Sequence, residues 1–325
     1  MPTSPPAGSR LPDAITDPLT GRKVNLLDWK AANLRGSWFL GLLMVVLLGG
    51  LGWLIGYAFD PGLATIVLVI AVVVGLGQTL AAYFASDSMV LNVAGARPAN
   101  EKEHRYLVNV SEAVAIGAGV PAPRVYVIDN PAPNAFATGR DPQHGTIAVT
   151  TGLLQLLDRQ ELEGVVAHEM AHIRNYDIRF MSMLAATVGA IVLLRDVAMR
   201  SMFYGGMGRQ RSGGSGGGGG RGQIVVIVLL LVLLILAPIL ALALRMAVSR
   251  RREYLADATG AYITRNPEGL ARALEKLRDY NGTPMKVSDG VAHMFFTNPK
   301  ARLNAMGMFA THPPLQDRIS RLRRM

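Results

Sequence analysis

The chain has 325 residues, half of them hydrophobic, with no cysteine and a formal net charge of +10. Without cysteine there is no disulfide and no thiolate, so a metal must be held by His, Asp or Glu and any nucleophile must be another group. A mean hydropathy of +0.28 is too high for an ordinary soluble surface and directs attention to membrane spans.

Residues 1–36 read as an N-terminal tail, with Pro2, Pro5, Pro6, Gly8 and Pro12 near the start and no short basic-then-apolar signal pattern. Ser37 to Phe59 and Leu63 to Ala85 are two uncharged runs of 23 residues, split by Asp60-Pro61-Gly62. A span needs about 20 apolar residues, so 37–85 is expected to be a transmembrane hairpin. Arg10, Arg22, Lys23, Lys30 and Arg35 precede it, Arg97, Lys102 and Arg105 follow it, and its turn has no base. The positive-inside rule puts both flanks in the cytoplasm. Bases placed beside apolar runs suit an anionic bilayer face, and no zinc-finger or RNA-binding motif argues for nucleic acid as a partner.

Residues 86–179 read as the first part of a globular domain. Asn100 to Ala118 has helical character. Arg124 to Asp129, Asn134 to Gly139 and Gly145 to Thr150 read as strands of a small β-meander. Asp158 and Glu161 have the spacing of a capping box opening a helix. Residues 180–244 hold two membrane-associated segments. Phe180 to Leu194 reads as a tilted span or a buried core helix; Ile224 to Leu244 is a clear span of 21 residues. Between them, 11 of the 18 residues from Gly205 to Gly222 are glycine, a composition that cannot bury enough surface to order itself. Arg195, Arg200, Arg209, Arg211 and Arg221 lie between the two segments, so two full crossings would oppose the positive-inside rule. Four spans is the leading reading; a two-span arrangement stays open. Residues 245–325 form the second part of the domain.

The chemistry concentrates in His168-Glu169-Met170-Ala171-His172. An i, i+4 spacing on a helix sets both imidazoles on one face, one turn apart, where they can grip one zinc ion. Glu169 is then placed to act on a water as general base. A catalytic zinc needs a third protein ligand and an open position. Glu253 is the best candidate, and Asp257, again i, i+4, can fix the orientation of a ligand histidine. The rival is a non-catalytic membrane scaffold with a zinc site, but structural zinc is normally closed by four protein ligands.

The run from His168 through Asn175 and Asp177 resembles the HtpX family of membrane zinc peptidases, which is similar to the CAAX prenyl endoprotease group. The likeness extends to Asn134-Ala135-Phe136-Ala137-Thr138-Gly139, to Arg251 through Asp257 and to Thr311-His312-Pro313-Pro314. It implies an α+β membrane protein with a gluzincin-type zinc-peptidase domain and one zinc per chain. It implies Glu253 as third ligand, Asp257 behind a ligand histidine, and an edge strand at Asn134, Ala135 and Phe136 where substrate pairs. It further implies His312 and Arg318 facing the cleft as oxyanion donors. The cell membrane is then the location, the active site faces the cytoplasm, and the substrates are proteins or peptides, membrane proteins above all, in quality control. The glycine-rich insert and long N-terminal tail depart from the compact family pattern.

Overall fold

The computed structural model describes residues 14–16, 21–187, 250–285, 287, 291, 294–297 and 313–325. Ala14–Thr16 (β1) and Lys23–Asn25 (β2) pair antiparallel. Asn25 then caps helix α1, Leu26–Phe59, its side chain accepting from Leu27 N–H at 2.9 Å. α1 ends at Asp60, whose carboxylate accepts from Gly62 N–H at 2.8 Å and starts a single 3-10 turn, Pro61–Leu63. α2, Ala64–Val93, returns.

Both helices outrun the apolar stretches that announced them. Residues 26–36, expected in the tail, are the first turns of α1, because a helix stops where its ends are capped and not where its hydrophobicity stops. Within the described residues, Leu26–Leu54 and Pro61–Val93 are long and apolar enough to cross a membrane. Trp38, Phe39, Leu42, Val69, Val73 and Leu80 are exposed on these helices, apolar surface that suits lipid.

Beyond the hairpin come β3 (Ala96–Pro98), α3 (Arg105–Ala118), β4 (Arg124–Ile128), β5 (Ala135–Thr138), β6 (Thr146–Thr150), α4 (Thr151–Leu156) and α5 (Arg159–Arg174). α6 is helical over 177–187, followed after the undescribed stretch by α7 (Arg250–Thr264), α8 (Pro267–Asp279) and α9 (Leu315–Leu322). The sheet is not the expected meander. Its order is β3-β4-β6-β5, with β6 parallel to β4 and antiparallel to β5. All five residues of β6 are buried, so it occupies an inner position, and β5 is left at the edge.

The capping box at Asp158 and Glu161 forms in both directions, at 3.0 and 2.8 Å. One core, including Leu107, Ile147, Val166, Met170 and Leu274, lies between the sheet and helices α3, α5 and α8. A second joins the hairpin to the domain: Leu40 and Val90 meet Phe136, Ala148, Phe180 and Phe295. The described part of the segment expected as a span or core helix is buried at Phe180, Met181, Met183 and Leu184. Residues 188–194, the glycine-rich linker and the span at 224–244 lie outside the described residues.

Gly164 sets how closely α5 and α8 approach, since a Cβ there would stand 2.7 Å from Leu270 N and 2.8 Å from its Cα. Alanine gains about 1 kcal/mol of helix propensity over glycine, while overpacking against backbone costs about 1–3 kcal/mol. Gly164→Ala is therefore expected to lower stability by up to about 2 kcal/mol. The thermal unfolding midpoint reads this directly, and a raised midpoint would contradict the close approach.

Candidate metal centre

α5 presents His168 and His172 one turn apart, with ring centroids 4.8 Å apart at 86° and Nε2 atoms 3.2 Å apart. α7 crosses α5 so closely that a Cβ on Gly260 would meet His168 N at 3.0 Å. That approach brings Glu253 in: its Oε2 lies 3.7 Å from His168 Nε2 and its Oε1 3.7 Å from His172 Nε2. The candidate ligand atoms of the three buried residues all lie within 4.8 Å of one another.

Each imidazole is held by a carboxylate on its far nitrogen. Asp257 Oδ1 stands 2.8 Å from His168 Nδ1, and Asp177 Oδ2 stands 2.9 Å from His172 Nδ1. A carboxylate there favours the tautomer with the proton on Nδ1. Both Nε2 lone pairs then face each other at 3.2 Å, a repulsive arrangement unless a cation or a proton lies between them. Two imidazoles and a carboxylate around that point suit zinc with one position left open.

The electrostatics fit this geometry. Burial drives His168 down to about 4, although its bond to Asp257 opposes the shift. Burial also opposes charge on His172, but the Asp177 bond and the neighbouring carboxylates lift it to about 9. Burial raises Glu169 to about 7, against the pull of His172. Burial would raise Asp257 too, but the Arg318 guanidinium and the His168 bond hold it below the usual carboxylate range.

The remaining expected site residues fall as follows. Arg318 is fully buried and forks onto Asp257, with Nε donating to Oδ2 at 2.8 Å and Nη2 to Oδ1 at 2.6 Å. It stands behind His168, and its ring contact is with Phe296, 4.8 Å from the guanidinium. Thr150 N–H donates to Asn134 O, and the antiparallel register then turns the backbone of Phe136 toward β6 and that of Ala135 and Ala137 toward the free edge. The Phe136 side chain is buried against Phe295. Asn134 clamps a returning segment, donating to Thr297 O at 2.9 Å and accepting from Thr297 N–H at 3.1 Å. Next to it Phe296 N–H donates to Ala135 O at 2.7 Å, and the Phe296 ring meets His168 edge-on at 4.9 Å. His312 lies outside the described residues. His104 and His144 serve local loops: His104 Nδ1 accepts from Asn100 N–H, and His144 Nδ1 pairs with Asp141.

Sequence reasoning missed the residues around Asp177. Trp29 and Asn33 of α1 and Arg252 of α7 all reach its Oδ1. The only local sign was an amide and an indole in the polar start of an apolar helix, which says nothing about a partner more than 140 residues away.

Three comparisons bear on this arrangement. The model of a family described as Peptidase family M48 matches residues 101–325. A protein named Protease HtpX homolog from Caldanaerobacter subterraneus subsp. tengcongensis is 45% identical over 301 residues, covering 93% of this chain and 98% of the relative. Its namesake in Thermoanaerobacter pseudethanolicus is 46% identical over 299 residues, covering 92% and 97%. That of Listeria monocytogenes is 42% identical over 308 residues, covering 92% and 100%. Among solved structures, S. mikatae Ste24p aligns at 21% identity with a TM-score of 0.47, over 90% of this chain and 67% of that one.

A proton on His172 has to leave before the ring can bind a metal. Zinc uptake by the metal-free protein is therefore expected to release about one proton per ion near neutral pH. Affinity should rise about tenfold per pH unit, levelling off near the His172 pKa of about 9. Calorimetric titration in buffers of different ionisation enthalpy counts the protons; a heat independent of buffer would contradict the protonated resting state.

Proposed function

The chain belongs to peptidase family M48, and from that premise we propose that it is a membrane-bound zinc endopeptidase that cleaves proteins at the cytoplasmic face. The observation that carries the reading is the convergence of His168, His172 and Glu253 from two helices, with Glu169 beside the first ligand. Zinc bound by these three would supply Lewis-acid polarisation of a water and of the scissile carbonyl.

The chain's own residues do the rest. Glu169 is buried, and the Ala137 backbone of the edge strand favours its charged form, so the base lies near the strand on which a peptide would lie. A carboxylate lifted toward neutral pH takes a proton from the attacking water and returns it to the leaving amine. An extended peptide adding to β5 would bond to backbone groups and ask little of side chains, which suits many substrates. To do so it would take the place Phe296 N–H holds at Ala135 O. Asp257, with Arg318 behind it, keeps the His168 ring turned. His312, by the family likeness, would complete the cleft as an oxyanion donor.

The orientation follows from charge. The polar start of α1 and the end of α2 both join the catalytic domain, and Lys30, Arg35, Arg97 and Lys102 cluster there, while the turn at Asp60 has no base. Substrates reaching a site beside a membrane hairpin are membrane proteins first, and a role in membrane-protein quality control fits that position.

Glu169→Gln is expected to cut proteolysis by about 10²–10⁴-fold while the zinc content stays at one per chain. Comparing the membrane proteomes of cells holding either form identifies the substrates. Equal proteolysis by the two would defeat the mechanism and favour a scaffold.

A further inference from the structure

We propose that Asn33, on the first membrane helix, is a positioning residue for the metal centre, holding the ligand His172 through Asp177. The inference rests on the zinc reading above and extends it to a part of the chain outside the residues 101–325 matched to the family.

Asn33 is 5% exposed, and every polar atom of its amide is engaged. Nδ2 donates to Asp177 Oδ1 at 2.6 Å and to Asn175 O at 3.0 Å; Oδ1 accepts from Arg252 Nη2 at 3.0 Å. Trp29 Nε1 donates to the same Asp177 oxygen at 3.2 Å, and Arg252 Nε lies 3.0 Å from it. Two hydrogen-bond donors and the Arg252 guanidinium thus engage Oδ1 and leave Oδ2 for His172 Nδ1 at 2.9 Å. A carboxylate held on one oxygen and bonded on the other cannot rotate, so neither can the ring it supports.

The turn that carries Asp177 is itself unusual. Tyr176 has φ 60°, the left-handed region that a bulky residue seldom occupies. Its ring is held from the same face of α1, with Lys30 Nζ 4.3 Å from the centroid. Trp29, Lys30 and Asn33 therefore grip the 175–177 turn over one helical turn of α1, and Arg252 precedes the third ligand, Glu253. The polar end of the membrane hairpin, the end of the His helix and the start of the Glu helix meet in one buried network. Displacing α1 would turn His172.

The test uses full-length protein in detergent, stripped of metal and titrated with zinc against a chromophoric chelator, with cobalt(II) absorption as a report on ligand geometry. Asn33→Ala is expected to weaken zinc binding about 10–100-fold, to change the cobalt spectrum, and to lower kcat with little change in KM. Asn33→Asp keeps the shape but cannot donate to Asp177, and should weaken zinc at least as much. Thr79→Val removes the Thr79 hydroxyl bond to Gly41 O between the membrane helices and should leave metal affinity unchanged. Adding Asn33→Ala to Asp177→Ala should cost little more than Asp177→Ala alone, because both remove the same support. Zinc affinity unchanged in both Asn33 variants, additive losses in the double variant, or an equal loss in Thr79→Val would each overturn the proposal. Failure of the unmodified protein to bind zinc would instead sink the zinc reading, and this inference with it.

Discussion

Two imidazole Nε2 atoms aimed at one point, 3.2 Å apart, are the constraint the rest of the structure serves. Left alone, the rings would rotate apart. They are held because Asp257 and Asp177 occupy their other nitrogens, and those carboxylates are held in turn by Arg318 and by Asn33, Trp29 and Arg252. The glycines at 164 and 260 belong to the same design, since they let α8 and α7 close on the helix that bears the ligands. This cluster is not built for stability. Each buried ion forgoes several kcal/mol of hydration, and Asp177, Glu169, Glu253, Asp257, Arg252 and Arg318 are all buried. Pairing offsets that cost only while every partner is in place, which makes the network a device for fixing geometry.

The apolar hairpin α1–α2 is integral to this device. Its outward faces are apolar, but the start of α1 is polar and buried against the domain at Asn33 and Ser37. Leu40 and Val90 continue the contact in the second core, beside Phe136 of the edge strand. The hairpin and the domain that carries the candidate metal centre therefore share packing as well as covalent connection. The edge strand has a further feature: it is the last strand of the ladder, yet all four residues are buried. The chain's own segment 294–297 lies along it and bonds to Ala135 and Asn134. An exposed edge invites unwanted pairing, and this segment covers it.

The sequence by itself determined what short-range geometry and chemistry determine. The spacing of His168 and His172 fixes their common helical face, Asp158 and Glu161 begin that helix, and the uncharged runs mark the hairpin. The choice of Glu253 and Asp257 also came from a spacing of four, supported by the count of ligands a zinc ion needs. Such features are legible because they depend on residues within one or two turns of each other. The tertiary structure alone decided the strand order, the true start of α1, the commitment of Arg318 to Asp257, and the reach of Asn33 to Asp177. A parallel pairing of β4 with β6 depends on which strand can be buried on both faces, and the Asn33–Asp177 bond joins residues 144 apart. No local pattern encodes such contacts, because a hydrogen bond between distant side chains has no period in the sequence and exists only once the helices that carry them have packed.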